Sequence, residues 1–345
     1  MARLRVRALS KSKYLLRMVA LSSALLLSGC ISKDAPMNFL YPEGPQAIEA
    51  DRLWDVTFLI AAVIFVIVEG ALIFILVKYR ESNNKSDPKQ LHGHTRLELL
   101  WTAIPAVILT GIAFMTVPVV FDQAQEPDNA LQVEIVGNQW WWAVNYDNGV
   151  VTANELHIPV NRPVFLSLKS NDVIHSFWVP KLAGKTDVVP GRVNTMTVEA
   201  TEPGEYLGQC AEYCGLSHAN MRFTVVAHEQ ADFEQWVADQ QQPAAEDPAV
   251  AEGRELFHNE QFAGGQMCAS CHAIGGTDAA GIVGPNLTHL ASRERFASSM
   301  FELNEENLRA WLEDPPAQKP GSLMPDLELT EDQISALVEY LLSLK

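Results

Sequence analysis

Two unbroken apolar runs, Val56–Val77 and Leu99–Val120, limit what this chain can fold into more than any other feature of it. Each has 22 residues. As helices they would be about 33 Å long, enough to cross the hydrocarbon of a bilayer. The first holds one acid, Glu69, and the second holds none. Trp54 and Trp101 stand near the ends of the runs, where aromatic belts lie at a membrane surface. The segment between them carries Lys78, Arg80, Lys85, Lys89 and Arg96. The positive-inside rule puts that loop in the cytoplasm and everything after Val120 outside.

The first 29 residues predict the same orientation. A basic start (Arg3, Arg5, Arg7, Lys11, Lys13, Arg17) precedes a short apolar run from Met18 to Ser28, too short to span a bilayer. This reads as an export signal. It ends in Leu27-Ser28-Gly29-Cys30, which resembles a bacterial lipobox; that implies cleavage before Cys30 and lipidation of its thiol. An ordinary signal peptide is the plainer alternative. A chain of 345 residues leaves room for two soluble domains beyond the anchor. Its formal charge of −17 argues against a nucleic-acid partner and for an acidic surface facing basic ones.

From about Leu131 to Val226 the pattern becomes short alternating runs, such as Leu131–Val136, Val164–Leu168 and Asn194–Val198. Asp147-Asn148-Gly149, Pro190-Gly191 and Pro203-Gly204 separate them. Short strands with such turns indicate a β-sandwich or barrel. Trp140, Trp141 and Trp142 are consecutive, so on a strand they alternate between faces and at least one is core. Within this region lies Cys210-Ala211-Glu212-Tyr213-Cys214-Gly215-Leu216-Ser217-His218-Ala219-Asn220-Met221, with His175 upstream. Thiolate, thioether and imidazole donors select copper over hard cations. Two thiolates exceed the need of one blue-copper atom and suffice to bridge two. A disulfide or half of a zinc site also fits a C-x3-C pair, but a zinc site gives the glutamate and the methionine nothing to do.

At these residues the chain resembles subunit II of the haem–copper cytochrome c oxidases. Val136–Trp142 and Gly184–Arg192 are also similar to signatures of that family. The resemblance implies a cupredoxin-like Greek-key fold. It also implies a binuclear copper centre, CuA, bound by the side chains of His175, Cys210, Cys214, His218 and Met221 and by the backbone carbonyl of Glu212. The Glu212 carboxylate would face a magnesium site shared with subunit I. The tryptophan matching Trp140 would lie between an outside electron donor and the copper. Glu98, which opens the second apolar helix, would lie at the cytoplasmic mouth of a proton path in subunit I. An acid near a helix N-terminus is also ordinary dipole chemistry, and Glu69 fits a contact with a partner helix.

Glu229 to Asp247 reads as a short amphipathic helix around Phe233, Trp236 and Val237 followed by a polar linker. Beyond it, Cys268-Ala269-Ser270-Cys271-His272 has the pattern of covalent c-type haem attachment. Cysteines at i and i+3 of a helix share a face, so both thiols can meet the vinyl groups of one porphyrin. His272 then serves as proximal iron ligand. A low-spin haem takes a distal ligand, and methionine raises its potential. Met267 is tied to the proximal side, and Met300 lies in a helical-looking, core-like stretch. Met324, in the loop Pro320–Asp326, is therefore the expected distal ligand. With Gly284-Pro285-Asn286-Leu287 and a final helix over Thr330–Leu342, this part resembles a class I cytochrome c. The five cysteines, Cys30, Cys210, Cys214, Cys268 and Cys271, are then all committed to lipid, copper or haem.

The whole resembles subunit II of a caa3-type oxidase. The expected fold is a multidomain membrane protein: a two-helix transmembrane hairpin, an all-β cupredoxin-like domain and an all-α cytochrome c domain. Its parts are a signal (1–29), an anchor (30–125), the copper domain (126–228), a helix and linker (229–245) and the haem domain (246–345). The resemblance implies a bacterial plasma-membrane protein with both metal domains on the outer (periplasmic) side. It would take electrons from a cytochrome c-type donor. Its partners would be subunit I, carrying haem a, haem a3 and CuB, and the other oxidase subunits. A stand-alone membrane-anchored carrier and the electron-input subunit of a nitric oxide reductase stay open as alternatives.

Overall fold

The computed structural model describes residues 35–80, 90, 92–244 and 247–345. The export signal, Cys30, Lys85 and Lys89 lie outside the described residues. Two long helices come first, α1 (Pro45–Lys78) and α2 (Thr95–Gln123), and both are long and apolar enough to cross a membrane. Their apolar side chains, such as Phe65, Leu76 and Phe114, face outward rather than into a protein core. Each helix outruns its apolar stretch. In α1 the extra turns at the start carry Glu49, Asp51 and Arg52, polar residues suited to water above the hydrocarbon.

Those turns lead onto the next domain. The amides of Glu43 and Gly44 donate to the Lys181 carbonyl, Ala47 N–H donates to Leu182, and Lys181 pairs with Glu43 at 2.5 Å. Gln123, at the far end of α2, donates from its side chain to the carbonyl of Gln46. The start of α1 and the end of α2 are thus fastened together beside the sheet domain, and Lys78 and Arg96 lie at the opposite ends of the two helices.

The middle domain has ten strands: β1 (Leu131–Asn138), β2 (Trp141–Tyr146), β3 (Val151–Ala153), β4 (Glu155–Pro159), β5 (Val164–Ser170), β6 (His175–Trp178), β7 (Lys185–Val188), β8 (Asn194–Val198), β9 (Gly204–Cys210) and β10 (Arg222–His228). They form two sheets, ordered β3-β2-β1-β5-β8 and β4-β10-β9-β6-β7. The expected alternating runs are β1, β5 and β8. Their inward positions, including Val133, Ile135, Leu166, Leu168 and Val198, fill the space between the sheets. Burying one face of each strand in this way fixes its register, because a slip of one residue would turn the apolar set outward.

Trp142 is fully buried, on the core face of β2. Phe177 and Phe223 meet it edge-on at 5.4 and 5.7 Å between ring centres. Such pairs add about 0.5–1.5 kcal/mol each beyond the area they bury. Trp140 precedes β2, in the turn between β1 and β2, so strand alternation does not govern where its side chain points.

Helix α3 (Gln230–Gln240) packs Phe233 against the sheet domain and ends at the linker. The C-terminal domain follows: α4 (Ala251–Asn259), the single turn α5 (Cys268–Cys271), α6 (Glu305–Glu313), α7 (Pro315–Gln318) and α8 (Glu331–Ser343). Thr330 caps α8 in a reciprocal box with Gln333. A minimal ladder, β11 (Arg295–Phe296) with β12 (Phe301–Glu302), interrupts the helices. Met300 sits in the turn of this ladder and not in a helix, because Ala297, Ser298 and Ser299 all take left-handed φ and no helix can run through them.

Candidate functional site

The termini of three neighbouring strands build the first site. β6 opens with His175, β9 closes with Cys210, and β10 opens just after Met221. The amide of Cys210 donates to the Met221 carbonyl and that of Ala211 to Ser176, so both ends of the intervening loop are pinned to the sheet. Inside that frame Cys210 Sγ lies 3.7 Å from Cys214 Sγ and 4.0 Å from His175 Nδ1. Cys214 Sγ lies 3.6 Å from His218 Nδ1 and 3.8 Å from Met221 Sδ. The Glu212 carbonyl is 3.2 Å from Cys210 Sγ, while the Glu212 side chain is exposed.

This arrangement brings together all six groups expected from the sequence. Donors about 2.0–2.3 Å from one tetrahedral ion stand roughly 3.3–3.8 Å apart, and the spacings of 3.2 to 4.0 Å here lie close to that range. The sulfurs are too far apart for a disulfide, whose S–S bond is about 2.05 Å. Six donors exceed the four of a structural zinc site: His175 Nδ1 and the Glu212 carbonyl lie beside Cys210 Sγ, and His218 Nδ1 and Met221 Sδ beside Cys214 Sγ, a set that could hold two ions. The residues therefore fit a copper pair. The same contact shifts the thiols in opposite directions: a hydrogen bond from Cys214 holds Cys210 far below the usual thiol range, and that bond raises Cys214.

One member of the site escaped the sequence reading. Asp172 Oδ1 lies 2.7 Å from His175 Nε2, which leaves Nδ1 to face the sulfurs. A carboxylate behind a ligating imidazole fixes its tautomer and orientation. Burial pushes the Asp172 carboxyl up, but hydrogen bonds from His175, Val173 and Gln139 outweigh it and hold the carboxyl below its usual range. Its place three residues before the histidine was the only local signal.

The second site is a cavity in the C-terminal domain lined by Cys268, Cys271, His272, Met324 and apolar side chains including Leu308, Leu337 and Leu341. His272 Nδ1 donates to the Pro285 carbonyl at 2.8 Å, so its lone pair is on Nε2. Burial lowers the His272 pKa and keeps the ring neutral, as a ligand must be. Gly284 is needed beside it, since a Cβ there would lie 2.5 Å from His272 Cε1. Burial pushes the Cys268 thiol up to about 11. Trp311 Nε1 donates to Met324 Sδ at 3.3 Å, a partner with no sequence signal. Arg293 and Arg295 line the same cavity. Two thiols on one turn, a neutral imidazole, a thioether, apolar walls and two cations for acidic substituents fit a haem.

The two sites meet at Trp140. Its indole N–H donates to the Cys214 carbonyl at 3.0 Å, beside the Gln139 side chain, which donates to the same oxygen at 2.6 Å. Trp140 also lines the cavity of the C-terminal domain. It is 7% exposed, covered by the loop that leads to Met324. Glu98 is elsewhere, in the first turn of α2, where Oε1 accepts from the His94 amide at 3.1 Å and caps the helix.

Three family profiles match the chain. Cytochrome C oxidase subunit II, transmembrane domain, covers residues 32–119; Cytochrome C oxidase subunit II, periplasmic domain, covers 150–228; and Cytochrome c covers 250–345. Cytochrome c oxidase subunit 2 of Alkalihalophilus pseudofirmus is 38% identical over 93% of this chain and 94% of its own. The protein of the same name from Bacillus sp. (strain PS3) is 37% identical over 77% of this chain and 79% of its own. A protein named quinol oxidase subunit 2, from Bacillus anthracis, is 30% identical over 76% and 90%.

Proposed function

This chain belongs to the cytochrome c oxidase subunit II family, and from that premise we propose the path by which it feeds electrons to a proton-pumping haem–copper oxidase. Membership makes it an oxidase subunit anchored in a membrane, with a cytochrome c domain that implies haem c and a copper-binding domain. The finer reading is that a cytochrome c-type donor delivers electrons to the C-terminal domain. They reach the copper domain through Trp140 and leave for haem a of subunit I, where oxygen is reduced to water. Haem c and the copper pair supply one-electron chemistry when bound.

The chain's own residues do the rest. Cys268 and Cys271 tether the porphyrin, and His272 and Met324 hold its iron. His175, Cys210, Cys214, His218, Met221 and the Glu212 carbonyl would hold the copper, on strand ends and on a loop whose two ends are pinned to the sheet. Fusion of the domains raises the effective concentration of one beside the other, so that no bimolecular docking is needed between them. The exposed Glu212 carboxylate offers a ligand to magnesium at the subunit I boundary, and Glu98 a proton relay at the opposite membrane face. The domains lie on the outer side of a bacterial plasma membrane.

One observation carries this reading: Trp140 touches the Cys214 carbonyl on one side and lines the Cys268/Cys271/His272/Met324 cavity on the other. A quinol oxidase, the activity named for some relatives, would leave the six converging donors without a task. Purification of the chain in mild detergent tests the proposal. A multispan haem protein should come with it, and the complex should consume oxygen with reduced cytochrome c. A chain that purifies alone is a free-standing carrier, a complex that turns over nitric oxide and not oxygen is a nitric oxide reductase, and one oxidising quinol without copper is a quinol oxidase. Any of these would overturn the proposal.

A further inference from the structure

Lys319 is 5% exposed and lies where the C-terminal domain meets the sheet domain. Its Nζ donates to the Trp140 carbonyl at 2.5 Å and to Ser298 Oγ at 2.8 Å, and both partners are neutral. Ser298, fully buried, donates its own hydroxyl to the same Trp140 carbonyl at 2.6 Å. That carbonyl belongs to a turn and has no place in the sheet ladders. Both of its lone pairs are taken by the other domain, as a carbonyl oxygen allows.

An ammonium buried against neutral groups is expensive, and burial pulls that of Lys319 down to about 7. Ser298 sits at φ 65° in a run of three left-handed non-glycine residues, a strained backbone that persists only where its surroundings enforce it. A second link runs beside the first. Ser217, next to His218, donates to the Pro320 carbonyl at 2.6 Å. Gly321, at φ 83°, lies so close to the indole that a Cβ would stand 2.7 Å from Trp140 Cη2. The loop that supplies Met324 is thereby fastened to the loop that supplies His218 and to the tryptophan between them.

We propose that Lys319, with Ser298, is a positioning residue: it clamps the C-terminal domain onto the Trp140 carbonyl and so fixes the distance across which the two domains exchange electrons. This rests on the electron path given above. Electron transfer falls steeply with distance, so loosening the clamp slows exchange between the domains while leaving each site intact.

The test uses the full-length chain in its oxidase complex. In Lys319→Met, the copper spectrum and the covalent haem content should match the wild type; because Lys319 also lines the haem cavity, its loss should lower the haem potential by an amount that redox titration gives, and the equilibration rate is compared at matched driving force. Backbone amides over 139–142 and 215–218 should exchange hydrogen at least tenfold faster. Equilibration of an electron between the two domains should slow at least tenfold, and Lys319→Arg should restore part of both. Where Lys319→Met fails to accumulate, Ser298→Ala keeps the lysine and removes one donor, and should speed exchange at 139–142 about threefold. Unchanged exchange and equilibration overturn the clamp. So does a shifted haem potential that accounts for the whole change in equilibration while exchange at 139–142 stays slow, which would assign Lys319 to the haem alone. A wild-type complex lacking copper or haem overturns the electron path instead, and amide exchange still reports on the clamp.

Discussion

Met221→Leu separates a ligand from a core residue. Met221 is fully buried, with Sδ 3.8 Å from Cys214 Sγ. Leucine has a similar volume and no donor atom, and such exchanges usually cost less than about 1.5 kcal/mol. In a domain of this size, that lowers the melting temperature of the metal-free protein by at most ~6–12 °C. Met221→Ala would cost about 2–5 kcal/mol through the cavity it leaves, and would confuse loss of a ligand with loss of the fold. The leucine variant should therefore fold, and it should retain copper on His175, Cys210, Cys214 and His218. Its near-infrared copper band and midpoint potential should nevertheless move, because one donor to the centre is gone. The assay is absorption and redox titration of the copper-loaded variant beside a thermal melt of the metal-free one. A wild-type band and potential, with only the melt lowered, would show that Met221 fills space and does not bind.

Four other substitutions probe the rest of the molecule. Gly284→Ala drives a methyl group into His272, 2.5 Å from Cε1; covalent haem per chain should fall by half or more, measured as alkaline haemochrome, with copper loading unchanged. Trp311→Phe removes the N–H that Met324 Sδ accepts, which frees sulfur electron density for the ferric iron, so the haem potential should drop on redox titration; Met324→Ala should lower it further with the thioethers intact. His228 is held below its ordinary pKa of 6.5 by burial and by the neighbouring His157. The unfolded chain therefore takes up a proton near pH 6.5 that the folded one refuses, and stability falls as the pH drops below that value. Melts between pH 7 and roughly pH 5 should show a shallower decline in His228→Gln than in the wild type.

Local patterns were the legible part of this molecule. The anchor could be read because an apolar run of spanning length has few other uses. Both proposed donor sets stand out in the sequence because Cys210, Cys214, His218 and Met221 fall on one loop, and Cys268, Cys271 and His272 at one turn. Met324 was reached by eliminating Met267 and Met300, although Met300 is excluded by a left-handed turn and not by a helix. Hidden were the groups that act from a distance in sequence. Trp311 reaches the Met324 loop from α6, and the Pro285 carbonyl orients His272 across thirteen residues. Lys319 meets Trp140 across 179. No periodicity or spacing reports such pairs, because only the packed fold creates them. The overlong α1 was missed for a related reason: hydropathy marks where lipid begins, and the polar turns above it belong to the neighbouring domain.

The stoichiometry of metal and haem on the purified full-length chain tests the central reading most directly. About two coppers and one haem per chain are predicted from the two donor sets, with the haem remaining attached after denaturation. Zinc in place of copper, or a haem that is extracted once the chain unfolds, would contradict it.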